Sequence, residues 1–250
     1  MSFQDELIAK AIQQWEWFGK DLDRGDKYVD ANGKTTPNKK TDGKANRRKE
    51  TVEPYASRVG DFWLAIPTKD YDRLVKNFAK QKGKLDGTVD LAWSAAFISY
   101  CMQMAGAGTA FPYAPGHAAW IVASIRNRQQ NKLKANLVGY RLGEMPLRVG
   151  DLIGRPRGED KDLPYEDAVA KGWFESHSDI VVDIDAGHHK AFVIGGNVGQ
   201  SVSKSEVRTT ADGKLDDPDG WFVHIRNNIA SKPAGAAVAE VLDTALFKVG

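Results

Sequence analysis

From Phe3 to Phe18 the apolar residues Phe3, Leu7, Ile8, Ala11, Ile12, Trp15 and Phe18 recur at three- and four-residue intervals. That spacing predicts an amphipathic helix with one buried face, ended by Gly19 and the turn-forming residues after it. Residues 24–49 are polar and turn-rich and read as a loop. Two further helices are predicted over 51–66 and 68–80, parted by Pro67, with Thr68 as N-cap and Asp70 in the first turn. After a loop at 83–90 comes 93–105, apolar on nearly every side. A helix of that kind is central, packed by other elements all round. Gly106 and Gly108 stop it, and a short helix is expected over 116–127.

Beyond that point the pattern changes to short β-branched runs ended by Gly, Asp or Asn: 149–155, 178–185, 190–197 and 220–226. A polar insertion, 155–176, separates the first two. Helices followed by an antiparallel run of strands make an α+β architecture. The chain divides into an N-terminal helical region (1–88), a strand-bearing core (89–230) and an Ala-rich helix or tail (231–250).

Composition narrows the function classes. A chain of 250 residues with 42% hydrophobic and 27% charged residues suits one well-filled globular domain with a helical extension. A net charge of +2 points to no nucleic-acid partner. The basic cluster Lys39, Lys40, Lys44, Arg47, Arg48 and Lys49 has no interleaved aromatics and reads as a solvated loop. Asp30–Gly33 looks like a fragment of a calcium loop without the rest of its ligands, so no metal is expected there. A single cysteine excludes an internal disulfide and a multi-cysteine zinc site. The N-terminus carries acids and glutamines where a secretory signal has an apolar core, and no run approaches ~18 apolar residues. Neither Sec export nor membrane insertion is expected, which leaves the cytoplasm, a specialised secretion system or phage lysis.

Candidate chemistry centres on Ser94, which opens the apolar helix after Trp93. Nucleophilic hydrolysis needs an attacking atom, a base and a group that orients the base. Of five histidines, His188 and His189 fall in a hairpin turn and His224 lies within a strand, where a structural role is simplest. His177 stands at the open entry to a strand and is the expected base. Asn197, at the end of the next strand, is its expected orienting partner, and Asp179, two residues along on the same face, is the rival. The helix N-terminus at Ser94 offers backbone N–H groups to an oxyanion.

Around these, Trp93, Asp90, Tyr113, His117 and Asp179 are candidate substrate contacts, and Trp120 is either a wall of the site or core. Asp151 is expected to cap a turn through its own backbone. Cys101, two helical turns past Ser94, is expected to be inert core. A two-carboxylate glycosidase, with a pair such as Glu16 and Asp90, has little behind it.

The strings WSAAFISY (93–100), VGDLIGR (149–155), HSDIVVDID (177–185) and VIGGNVGQSV (193–202) occur in the order found in the papain-like NlpC and CHAP amidase-peptidase superfamily. The chain resembles a bacterial branch of it mostly described as a domain of unknown function. The likeness extends over about 16–226 and takes in EWFG (16–19) and FPYAPGHAAWI (111–121). It implies a papain-like fold and hydrolysis of amide bonds in cell-wall peptidoglycan through Ser94, His177 and Asn197, without metal or organic cofactor. An antibacterial effector of this kind would have an immunity protein as partner.

The superfamily's usual nucleophile is cysteine, and a hydroxyl cannot be held ionised where a thiol can. Ser94 is therefore a nucleophile needing a base during attack, a silencing Cys→Ser replacement, or the relic of a site that binds without cutting.

Overall fold

The computed structural model describes residues 1–23, 27–29, 35–37, 49–216 and 219–231. The calcium-like fragment, the basic cluster as far as Arg48 and the C-terminal tail beyond 231 lie outside these residues.

Helix α1 (Phe3–Trp17) starts at a reciprocal cap, in which Ser2 and Asp5 each accept from the other's backbone N–H. Helices α2 (Tyr55–Trp63) and α3 (Thr68–Phe78) follow. Thr68 is not the N-cap of α3. That place falls to Pro67, whose carbonyl accepts the N–H groups of Asp70 and Tyr71, so Thr68 is already helical. The central helix α4 (Ser94–Met104) buries eight of its eleven residues. Gly106, in the left-handed region at φ 86°, follows its end. Helix α5 (Ala118–Gln129) and the one-turn α6 (Ala168–Lys171) complete the α-helices of the described residues. None is long and apolar enough to cross a membrane.

The strands are β1 (Asp21–Asp23), β2 (Lys27–Val29), β3 (Thr35–Pro37), β4 (Leu137–Tyr140), β5 (Leu152–Pro156), β6 (Ser176–Asp185), β7 (Lys190–Gly195), β8 (Ser203–Arg208) and β9 (Val223–Asn227). They form one sheet in the order β3-β2-β1-β8-β7-β6-β5-β9-β4. All pairs are antiparallel except β1 with β8, so the α+β fold carries a mixed sheet. Two sequence expectations need correction. Residues 1–88 are not purely helical, since β1–β3 extend the same sheet. Strands β4 and β8 were not anticipated: LVGY is too short to show alternation, and SKSEVR is polar at five of its six positions.

Alternation along the strands splits the core in two. Leu152, Ile180, Val182, Ile194, Val223 and Ile225 join the helices in the main cluster. Ile153, Val181, Ala191, Val193 and Val207 form a smaller one with Leu147, Leu215 and Trp221. The helix layer comes close to the sheet where β7 ends. A Cβ on Gly196 would overlap Phe97 and lie 2.9 Å from the Trp93 ring, so glycine lets the start of α4 seat on the strand end. Trp93 is itself packed among Phe18 and Phe62, and its indole N–H donates to Glu50 Oε2 at 2.7 Å.

Gly196→Ala is expected to destabilise the protein by ~1–3 kcal/mol through overpacking, lowering the urea midpoint without changing the slope of the transition. Equilibrium urea unfolding of the two proteins checks this.

Candidate functional site

The first helical backbone bond of α4 runs from Phe97 N–H to the Trp93 carbonyl, and no side chain caps the helix. The N–H groups at Ser94, Ala95 and Ala96 therefore precede the intrahelical ladder. Ser94 itself is buried, with 7% of its surface exposed. Its hydroxyl lies 2.7 Å from Nε2 of His117, at hydrogen-bond distance.

His117 occupies the N-cap position of α5, where its carbonyl accepts the N–H of Ile121. The helix is anchored by Ala118, Trp120, Ile121, Val122, Ser124 and Ile125, all buried, so the imidazole is carried by a rigid element. Trp120 is core: fully buried, edge-on to the His117 ring at 5.0 Å and donating to Ser178 Oγ at 3.1 Å.

His177, the expected base, does not meet Ser94. It is the second residue of β6, fully buried, with its ring centroid 5.3 Å from that of His117. Ser178 faces the helices through Trp120, so His177 and Asp179 fall on the other strand face. Standing so near the strand's start, the His177 ring still reaches His117. Its Nε2 is 2.7 Å from Asp179 Oδ1. The N–H does not point along that line, and neither atom makes a hydrogen bond of good angle. The contact is a close pairing of imidazole and carboxylate.

Asn197 does not orient His177. It lies beyond the end of β7 with φ 56°, in a turn that also holds Gly199 and Gln200 at positive φ, and its backbone conformation is what the position uses. Asp179 stands in its place because residues two apart on a strand share a face. The neighbouring Gly195 makes room for it, as a Cβ there would overlap the Asp179 carboxylate.

The remaining candidates divide. Trp93 is 1% exposed and belongs to the core rather than to a substrate wall. Asp90 is exposed and does not cap α4. Tyr113 is half-buried against Phe111 at 5.3 Å, and burial pushes its phenol up to about 12. Cys101 is fully buried, and burial raises its thiol well above the ordinary range, which suits inert core. Asp151 accepts the N–H groups of Arg148 and Asn227 at 2.9 and 3.0 Å. It also holds His224 Nε2 at 2.7 Å and Arg226 Nε at 3.2 Å, in a buried structural network.

Electrostatics keep both site histidines neutral. His117 is held well below its ordinary value by burial first, then by His177 and by the Arg157 guanidinium. Burial also lowers His177, against the upward pull of Asp179, with Arg157 and Arg155 adding to the fall. Arg157 had no signal in the sequence, being one charge among many in a polar insertion. Arg155 pairs with His177 in the β5–β6 register and lies over the Trp221 ring at 4.6 Å. Arg155, Asp179 and Trp221 line a cleft of about 450 Å³ on that face of the sheet. Among the described residues no group of three or more His, Cys, Asp or Glu side chains is arranged to hold a metal ion.

A neutral, buried histidine binds no proton at a pH where the unfolded chain does. Stability is therefore expected to be level above the unfolded value of about 6.5 and to fall as pH drops below it, until the folded values are passed. Each histidine contributes a slope of up to ~1.4 kcal/mol per pH unit. Urea titrations between pH 8 and pH 5 should show the fall, and His177→Gln should make it shallower.

Residues 51–231 match a family described as an uncharacterized protein conserved in bacteria (DUF2272). No curated protein and no solved structure matches the chain. The matched stretch runs from the residues before α2 through the last described residue, and so contains Ser94, His117, His177 and Asp179. By that match the chain belongs to the bacterial DUF2272 family.

Proposed function

We propose that the protein is an acyl-transfer hydrolase of amide bonds, with Ser94 as nucleophile and His117 as base. The observation that carries this is the 2.7 Å contact between Ser94 Oγ and His117 Nε2 at an uncapped helix start. A neutral imidazole with Nε2 free to accept takes the serine proton as Oγ attacks a carbonyl. The carbonyl oxygen gains charge beside the leading N–H groups of α4. The imidazolium then gives its proton to the departing amine, releasing it and leaving an ester on Ser94. Water attacks that ester with His117 again taking the proton, and the acid product leaves as the hydroxyl is restored.

Peptidoglycan is the proposed substrate, and a papain-like fold the proposed finer class. Both rest on the resemblance of the four motifs, and a central helix opening on the proposed nucleophile's side chain would be common to that class. The base differs from the pattern the resemblance implies: it comes from the start of a helix, not from a strand. Because Ser94 and His117 are nearly closed off, a second reading stays specific, in which their bond is a structural feature of a binding module.

Digestion of purified peptidoglycan, followed by mass spectrometry, separates the two. The protein is expected to release soluble fragments, with product masses naming the bond. Ser94→Ala and His117→Ala are each expected to lose at least ~10³-fold in rate, while Asn197→Ala stays within a few-fold. Ser94→Cys acting where the native protein does not would make the serine a silencing replacement. Release unchanged in Ser94→Ala, or absent in every variant, would overturn the proposal.

A further inference from the structure

The sheet face that carries the smaller core cluster also carries the cleft of about 450 Å³, and neither Ser94 nor His117 lines it. Its apolar wall is Trp221, Val198 and Val207, and its polar groups include Arg155 and Asp179. Small-molecule sites have this size and this make-up, mostly apolar with a few placed polar groups.

Asp179 is only 2% exposed, and a carboxylate so far removed from water needs hydrogen-bond donors. Among the described residues its carboxylate receives none. Its close contact is His177 Nε2 at 2.7 Å, at an angle that makes no hydrogen bond. Gly195 holds this place open for it, since a Cβ there would overlap the carboxylate.

Arg155 is also short of partners. Its Nη1 donates to the Asp219 carbonyl at 2.9 Å and its guanidinium lies over the Trp221 ring at 4.6 Å, but its Nε is buried and unpaired. In the β5–β6 register Ile153 faces Asp179 and Arg155 faces His177, which makes Arg155 and Asp179 diagonal neighbours on one face. The guanidinium lies against the indole and the carboxylate against the imidazole, and among the described residues no ion pair joins the two. The other acids at the cleft, Asp23, Glu206 and Asp219, all have partners, Lys190 being that of Glu206 at 3.1 Å.

The geometry points to this cleft as a binding site for a zwitterion of amino-acid size, its ammonium held by Asp179 and its carboxylate by Arg155. The ammonium supplies the donors that the buried carboxylate lacks, and the ligand's own carboxylate gives the guanidinium a charge-assisted partner. An anion alone would leave Asp179 unmet, and a cation alone would leave Arg155 unmet. Trp221, Val198 and Val207 receive the apolar part of the ligand's side chain. The site is separate from Ser94 and His117, and the inference stands or falls without them.

The test is isothermal titration calorimetry of the full chain near pH 7.5 with glycine, leucine and lysine. Leucine is expected to bind. N-acetylleucine, which has no ammonium, and leucinamide, which has no carboxylate, should each bind at least ~10-fold more weakly. Asp179→Asn and Arg155→Leu should each weaken leucine binding by ~10–100-fold with far-ultraviolet circular dichroism unchanged. Ser94→Ala should bind leucine as the native protein does.

Binding of none of the three amino acids would overturn the inference, as would equal affinity for leucine, N-acetylleucine and leucinamide. Native affinity in folded Asp179→Asn or Arg155→Leu, or lost binding in Ser94→Ala, would put the ligand elsewhere and overturn it too. The comparison of ligands on the native protein decides even if the variants fail to fold.

Discussion

Everything in the site hangs on a helix that has almost no polar side. With eight of eleven residues buried, α4 must be enclosed on all sides, and α1, α2 and the sheet supply the enclosure. Burial on that scale fixes the helix in place to within the tolerance of close packing. Its first residue, Ser94, inherits that precision. A hydroxyl at the start of such a helix sits beside unpaired N–H groups and against whatever the surrounding elements bring to it.

Two adjacent glycines show how closely the strand end and the site are coupled. Gly196 faces the helix layer and admits Phe97 and Trp93, while Gly195 faces the other way and admits Asp179. One short stretch of β7 and its end therefore seats α4 on one side and the carboxylate beside His177 on the other. Trp93 adds a further tie, its N–H held by Glu50, a residue of the segment before α2. Near it, Lys49 bridges to the buried Asp21 at 2.7 Å, which also accepts from Ser201. The N-terminal region is thus bonded into the same sheet and the same site wall.

Much of this was legible in the order of residues. The amphipathic stripe of α1, the all-apolar run of α4 and the β-branched runs of β5, β6, β7 and β9 each announce their element, because periodicity reflects which faces are buried. Short elements did not announce themselves. Four residues of β4 cannot display a period, and β1 finds its parallel partner in β8, some 180 residues away. Ser94 was legible as the residue opening a central helix, and Asp179 as a neighbour of His177 by strand alternation.

Which imidazole meets Ser94 was not legible. A pattern along one element reports its own buried face, and nothing in it states which imidazole from elsewhere will arrive within 2.7 Å of a given hydroxyl. His117 and His177 looked alike in that respect, each at the beginning of an element that could be rigid. Packing decided between them: α5 delivers His117 to Ser94, and β6 sets His177 one ring further away, against Asp179. The order of residues is enough for the α+β class, the buried helix and the inertness of Cys101, because those follow from local periodicity and the cost of burying polar groups. The sequence of contacts through the site follows from how α4, α5 and β6 pack, because hydrogen-bond distances are set between elements and not within them.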